Sequence, residues 1–162
     1  MLDRVCAQKI KILRKIKIKA KMTDCMSCDV FEEKNTVHDV AFSLDGTIRA
    51  ISTDQTIELW NAKPHKKLAV LSGHAGYIFC IALSPDGTLV ASSSLDKTVR
   101  FWNIKTREQV VALSTGITNA LCISFSPDSA LLVSGHNDNT VRLWSVETQE
   151  QVAVLTGHTD SV

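Results

Sequence analysis

Leu71–Trp102 reads LSGHAGYIFCIALSPDGTLVASSSLDKTVRFW, and the rest of the chain repeats it. A step of 42 residues forward carries Trp102 onto Trp144, and the same step back reaches Trp60. It also relates Asp54, Asp96 and Asp138, and Thr56, Thr98 and Thr140. Between the second and third copies it superimposes Cys80 on Cys122 and Ser84-Pro85-Asp86 on Ser126-Pro127-Asp128. Gly73-His74 returns two steps later as Gly157-His158. A fixed period of about 40 residues means stacked units, each one supersecondary element that cannot bury its apolar face alone.

Each unit reads as four short strands separated by turn signals. In the second, Tyr77–Leu83 is almost wholly apolar, which suits a strand covered on both faces. Ser84-Pro85-Asp86-Gly87 turns the chain, because Pro presets φ at the second position and Gly closes the turn. Leu89–Ser93 follows, then the tight turn Leu95-Asp96-Lys97, then Thr98–Asn103 and an outer strand Gln109–Leu113. The third unit gives Ala120–Phe125, Ala130–Ser134, Thr140–Ser145 and Gln151–Leu155. The first gives Thr36–Phe42, Ile48–Ser52, Thr56–Asn61 and Lys67–Leu71, with one residue fewer between Asp45 and Asp54. No stretch after residue 30 offers a useful helix, so the fold class is all-β, in four-stranded antiparallel sheets.

These residues resemble the WD-repeat β-propeller family, whose units carry a Gly-His near the start, an Asp in a tight turn and a Trp-Asp at a strand end. The resemblance covers residues 29–162, with blades over about 36–71, 77–113 and 120–155. The Trp-Asp pair has drifted to Trp60-Asn61, Trp102-Asn103 and Trp144-Ser145, and Gly-His is missing before the first and third blades. Three blades and the start of a fourth make an incomplete ring, since propellers typically have 4–8 blades. The expectation is therefore additional blades in a longer chain, a truncated product, or self-association that completes the arc.

The resemblance implies a structural hydrogen-bond network rather than a catalytic triad for His74, Ser92, Asp96 and Trp102. Only the second unit has all four. The third keeps Ser134, Asp138 and Trp144 with Gly116 at the histidine place. The first keeps Asp54 and Trp60 with Ala50 at the serine place, and His158 opens the next unit. Buried polar groups are tolerated when all are paired, which favours the structural reading. A nucleophile would also need an oxyanion hole and a pocket. No phosphate loop, GxSxG elbow or HExxH occurs, so no enzyme activity and no cofactor are expected.

The family's partners commonly touch the rim near the start of the inner strand and just before the turn aspartate. Carried over, the partner-binding candidates are Thr36, His38 and Thr53, then Tyr77, Phe79 and Leu95, then Asn119, Leu121 and Asn137. Tyr77, Phe79 and Leu95 form an apolar, aromatic set of the kind that anchors interfaces; packing between blades is the competing role for Phe79 and Leu95. Cys80 and Cys122, on the innermost strands, read as small core hydrophobes. His65 and His136, beside loops and turns, read as surface residues.

Composition supports this picture. Apolar residues make up 44% and charged residues 22%, ordinary globular values. Residues 1–21 hold eight Lys or Arg against Asp3 alone, while the remaining ten basic residues face sixteen acidic ones. An acidic body argues against nucleic acid on the repeats, since phosphate binding needs clustered Lys and Arg. Residues 1–28 read as a solvated basic leader, with a nuclear-import or anionic-membrane patch as the alternative. No window of 18 apolar residues spans a membrane. The five cysteines are odd in number, and Cys25-Met26-Ser27-Cys28 has no second pair to complete a zinc site, so no metal is expected and the thiols read as reduced, inside the cell, cytoplasmic or nuclear.

The function read from these residues is a non-enzymatic scaffold that binds other proteins or peptides. The alternatives are a regulatory or sensor repeat array from a larger multidomain protein, and a propeller enzyme or metal protein using CxxC or the His74 group.

Overall fold

The computed structural model describes residues 36–162; the basic leader and the Cys25–Cys28 pair lie outside the described residues. Twelve strands follow one another. They are β1 (Val37–Phe42), β2 (Ile48–Thr53), β3 (Thr56–Asn61), β4 (Lys67–Ser72), β5 (Ile78–Leu83), β6 (Leu89–Ser94), β7 (Thr98–Asn103), β8 (Gln109–Ser114), β9 (Ala120–Phe125), β10 (Leu131–His136), β11 (Val141–Ser145) and β12 (Gln151–Leu155). Each consecutive set of four pairs in chain order as an antiparallel meander, giving three separate four-stranded sheets. The described residues contain no helix.

The turns explain the strand boundaries. After β5, the Ser84 amide bonds the Leu89 carbonyl at 2.9 Å, the Gly87 amide returns to the Ser84 carbonyl at 2.9 Å, and the Ser84 hydroxyl caps the Leu89 amide at 2.9 Å. Gly87 takes φ +75°, a left-handed conformation that glycine adopts without penalty. Ser129 holds the same place after β9 at φ 63°.

The blades stack through apolar faces. Ala50, Ile57, Leu59 and Leu71 of the first blade pack on Ile78, Ile81, Val90 and Trp102 of the second. Cys80, Ala91, Val99, Phe101 and Leu113 of the second pack on Ala120, Ile123, Leu132 and Trp144 of the third. The inner strands β1, β5 and β9 are neighbours in that order. A polar bond joins the first pair of blades as well, because the buried Asp39 carboxylate accepts the Ile81 amide at 3.0 Å.

Register corrects one sequence assignment. Ser52 pairs with Ile57 in the first blade, whereas Ser93 pairs with Val99 in the second. The missing residue therefore falls in the β2–β3 turn, and strand β2 is offset from β6 by one residue less than β3 is from β7. Ile51, which faces Glu58 as Ser92 faces Arg100, stands at the serine place; Ala50 does not.

Two further expectations fail for reasons of packing. Cys122 is exposed while Cys80 is buried, because the third blade covers Cys80 and no further blade covers Cys122 among the described residues. His136 is fully buried, not a surface residue, since it ends strand β10 pointing into the blade. His65 is exposed, as read.

Candidate functional site

In the second blade, one chain of hydrogen bonds runs from strand to loop. The Trp102 indole N–H donates to Ser92 Oγ at 2.8 Å, and Ser92 Oγ lies 2.7 Å from His74 Nε2. His74 Nδ1 meets Asp96 Oδ2 at 2.8 Å, and Asp96 also accepts the Ala75 amide at 3.0 Å and the Thr98 amide at 3.0 Å. All valences close if His74 carries its proton on Nδ1 and accepts the Ser92 hydroxyl proton on Nε2. The loop that enters the inner strand is thereby tied to two other strands of its blade.

Burial lowers the His74 pKa below the usual 6.5, while the Asp96 hydrogen bond and charge pull the other way. Burial also pushes the Asp96 carboxyl up, but the bonds from Thr98, His74 and the Ala75 amide prevail and hold it at about 2. The neutral imidazole and the ionised carboxylate are the resting forms. Ser92 is wholly inaccessible, and its oxygen is already engaged by the Trp102 N–H. A substrate carbonyl has no path to it, so these three residues do not assemble a nucleophile.

The third blade reaches the same result with different residues. Trp144 N–H donates to Ser134 Oγ at 2.8 Å, and Ser134 Oγ lies 2.8 Å from His136 Nε2. His136 Nδ1 meets Thr118 Oγ1 at 3.1 Å, and Arg142 bridges Thr118 and Asp138 at 3.1 and 2.9 Å. Step for step along the repeat, His136 replaces Ser94 and Thr118 replaces Gly76. Gly76 has no room for more, since a Cβ there would stand 2.8 Å from the Asp96 amide nitrogen. Ser94 fills the gap instead, its hydroxyl donating to the Gly76 carbonyl at 2.9 Å. Burial, with the nearby Arg142 charge, lowers the His136 pKa to about 4 against the opposing pull of Asp138. Sequence reasoning missed His136 and Thr118 because the histidine sits on the strand and not in the Gly-His loop.

The first blade uses neither histidine nor serine. Trp60 donates to Glu58 at 3.0 Å, Glu58 pairs with Lys67, and the Lys67 ammonium lies 4.9 Å from the Trp60 ring centroid. Asp54 is not part of that arrangement; it meets His38 Nε2 at 3.3 Å on the rim. His158 is exposed.

On the rim, the structure brings some of the candidates together. Tyr77 and Leu95 are 51% and 46% exposed and are joined by a backbone bond of 2.8 Å from the Leu95 amide to the Tyr77 carbonyl. His38 stands edge-to-face against Tyr77, ring centroids 5.8 Å apart. Asn119 and Asn137 are paired by the Asn119 amide to the Asn137 side chain at 2.9 Å. Thr36 is exposed, and Phe79 and Leu121 are half-buried. Thr53 is buried with its hydroxyl 2.9 Å from that of Thr56, so it leaves the surface set; the shortened β2–β3 turn had displaced its alignment. Ile117, 89% exposed in the β8–β9 loop on the same rim, was not foreseen, although an apolar residue in a turn between Gly116 and Thr118 was a signal. Among the described residues no group of three or more His, Cys, Asp or Glu could hold a metal, and no helix is long and apolar enough to cross a membrane.

Four-stranded blades, a Trp tied to a strand hydroxyl and a rim of exposed side chains define a propeller of WD repeats. The WD domain, G-beta repeat family matches residues 26–61, 65–103 and 111–145, and the chain belongs to it. Among curated relatives, a guanine nucleotide-binding protein subunit beta of Schizosaccharomyces pombe is 33% identical over 72 residues, 42% of this chain and 24% of that protein. Apoptotic protease-activating factor 1 of Danio rerio is 51% identical over 39 residues, 24% of this chain and 3% of that protein. The solved structure of U3-55K superimposes with a TM-score of 0.76 at 23% identity, covering 80% of this chain and 42% of that one. The chain thus spans less than half the length of each of these three proteins.

Proposed function

We propose that this chain is a non-enzymatic scaffold that binds other proteins or peptides through the rim that carries Tyr77 and Leu95. The observation that supports it is the side-by-side exposure of these two large apolar side chains on a backbone-braced rim. Loops on a rigid scaffold are where recognition usually resides. Anchors of this type are few and central, and truncating one typically costs more than about 1 kcal/mol of binding. His38 borders Tyr77 edge-to-face and supplies a polar group beside it. The buried serines argue against hydrolysis, and the family's known role as an interaction platform agrees. The odd number of cysteines, with Cys80 and Cys122 free, favours a place inside the cell.

The test is Tyr77→Ala against Leu44→Ala, which alters an exposed leucine at the opposite end of the strands. Proteins retained by the wild-type chain from its own cells should be lost with Tyr77→Ala and kept with Leu44→Ala, at unchanged melting temperature. An identical set of bound proteins for all three would remove the rim from consideration. A second reading, a regulatory array within a larger protein, has in its favour the 39-residue likeness to a relative of which that stretch is only 3%. The mass of the native gene product separates the two.

A further inference from the structure

The turn aspartate between the second and third strands of a blade is committed to its own turn in two blades and released in the first. Asp96 accepts the Thr98 amide at 3.0 Å and the Thr98 hydroxyl at 2.6 Å, and Asp138 accepts those of Thr140 at 3.2 and 2.6 Å. The first blade turns with Asp54-Gln55 alone between β2 and β3, where the second blade has Leu95-Asp96-Lys97 between β6 and β7. In this shorter turn the Thr56 hydroxyl faces Thr53 Oγ1 at 2.9 Å. Among the described residues the Asp54 carboxylate keeps only His38, whose Nε2 lies 3.3 Å from Oδ1. Side-chain exposure follows the loss of partners: 9% for Asp96, 30% for Asp138 and 51% for Asp54.

We infer that the rim takes a peptide segment in which a Lys or Arg docks on Asp54 and an apolar side chain, about two or three residues away, seats on Tyr77 and Leu95. This deepens the scaffold reading above and rests on that rim being the binding surface. The three residues stand in a row across two blades. The Ile78 amide bonds the Asp54 carbonyl at 2.9 Å, which sets Tyr77 beside Asp54, and the Leu95 amide bonds the Tyr77 carbonyl at 2.8 Å. His38 fills the first gap, its ring centroid 5.8 Å from that of Tyr77. Two steps of this kind span roughly 10 Å, the reach of about three residues of extended chain. Charge then selects the partner. A guanidinium or ammonium gains the carboxylate oxygen that His38 leaves open, whereas an acidic residue placed there would be repelled. Lys97, exposed just past Leu95, repels a basic residue at the other end of the row, so the segment lies in one direction. An exposed ion pair adds little affinity and mainly decides which partner docks, while the apolar anchor supplies most of the binding.

The test presents a random library of short synthetic peptides to the 162-residue chain and to its Asp54→Asn, Asp54→Lys and Tyr77→Ala variants. The unmodified chain should enrich peptides that carry Lys or Arg about two or three positions from a Leu, Ile, Met or Phe. The tightest of these should bind Asp54→Asn about fivefold more weakly and Tyr77→Ala at least about fivefold more weakly. Asp54→Lys should enrich Asp or Glu at the position that was basic. Peptides that need Tyr77 but show no basic preference overturn the inference and leave the rim as a binding surface. So does a basic preference that persists in Asp54→Asn. Peptides that bind Tyr77→Ala unchanged, or no enrichment by the unmodified chain, reject the rim itself and the inference with it. Thermal melts identify any variant that fails to fold, and should Asp54→Lys do so, the near-isosteric Asp54→Asn decides alone.

Discussion

The second and third blades solve one problem in two ways. Each must satisfy a buried tryptophan N–H and fasten the loop that leads into its inner strand. In the second blade the imidazole comes from the loop as His74 and clamps Asp96; in the third it comes from the strand as His136 and reaches the loop through Thr118. Glycine at position 76 and threonine at 118 are the two halves of that exchange, because one site lacks room for a side chain and the other needs a hydroxyl. What is maintained is the satisfied hydrogen-bond chain from indole to loop, while the residue that supplies each link is free to move. A repeat that has lost its signature histidine is not thereby a weakened repeat.

The sharpest way to break this equivalence is to delete each histidine. His74→Ala leaves the Asp96 carboxylate and Ser92 without their shared partner, and His136→Ala removes a fully buried ring. Each should lower stability by roughly 2–4 kcal/mol, from unpaired buried groups plus a cavity. Thermal melts of the two variants should fall together; a normal melt for His136→Ala with a low one for His74→Ala would end the comparison.

A smaller effect is expected from acid. Both histidines have folded pKa values below the unfolded 6.5, so the neutral form is the native one. Their contribution is fully present above pH 6.5 and is lost as pH falls, for His136 across the window from 6.5 to about 4. That shift corresponds to up to about 3 kcal/mol. Melting temperature should be level above neutrality and decline through this window. The decline should flatten in His136→Ala, and an equally steep profile in that variant would count against the assignment. Asp96, held at about 2, adds a further loss only below its unfolded 3.8.

The smallest change should come from the first blade, whose tryptophan relies on a partly solvated glutamate. Glu58→Ala gives up one indole bond and an ion pair with Lys67 that is open to solvent. About 1 kcal/mol is the expected loss. A drop as large as that of His74→Ala would show that all three blades depend on their tryptophan link alike.

Much of this was legible in the repeat. The 42-residue step, the Ser-Pro-Asp turns and the strand-end tryptophans were enough to read three four-stranded sheets, and the four-membered chain around His74 followed from one blade that keeps every signature residue. What was misread shares a cause. One residue was known to be missing between Asp45 and Asp54, but the 42-residue step was carried unchanged through β2 although the gap falls in the β2–β3 turn, so Ala50 took the place of Ile51 and Thr53 was sent to the surface. His136 was passed over because linear position near a turn says nothing of the direction a side chain takes. Cys122 was equated with Cys80 because the step relates their strands, although it does not relate what lies across from them.

The sequence by itself determined the architecture of this protein, because a period in apolar residues and turns dictates local sheets whatever their surroundings. Tertiary structure alone decided which equivalent positions are equivalent in fact. Burial and hydrogen-bond partners depend on the neighbouring blade, so Leu113 and Leu155, one repeat apart, end as core and as surface.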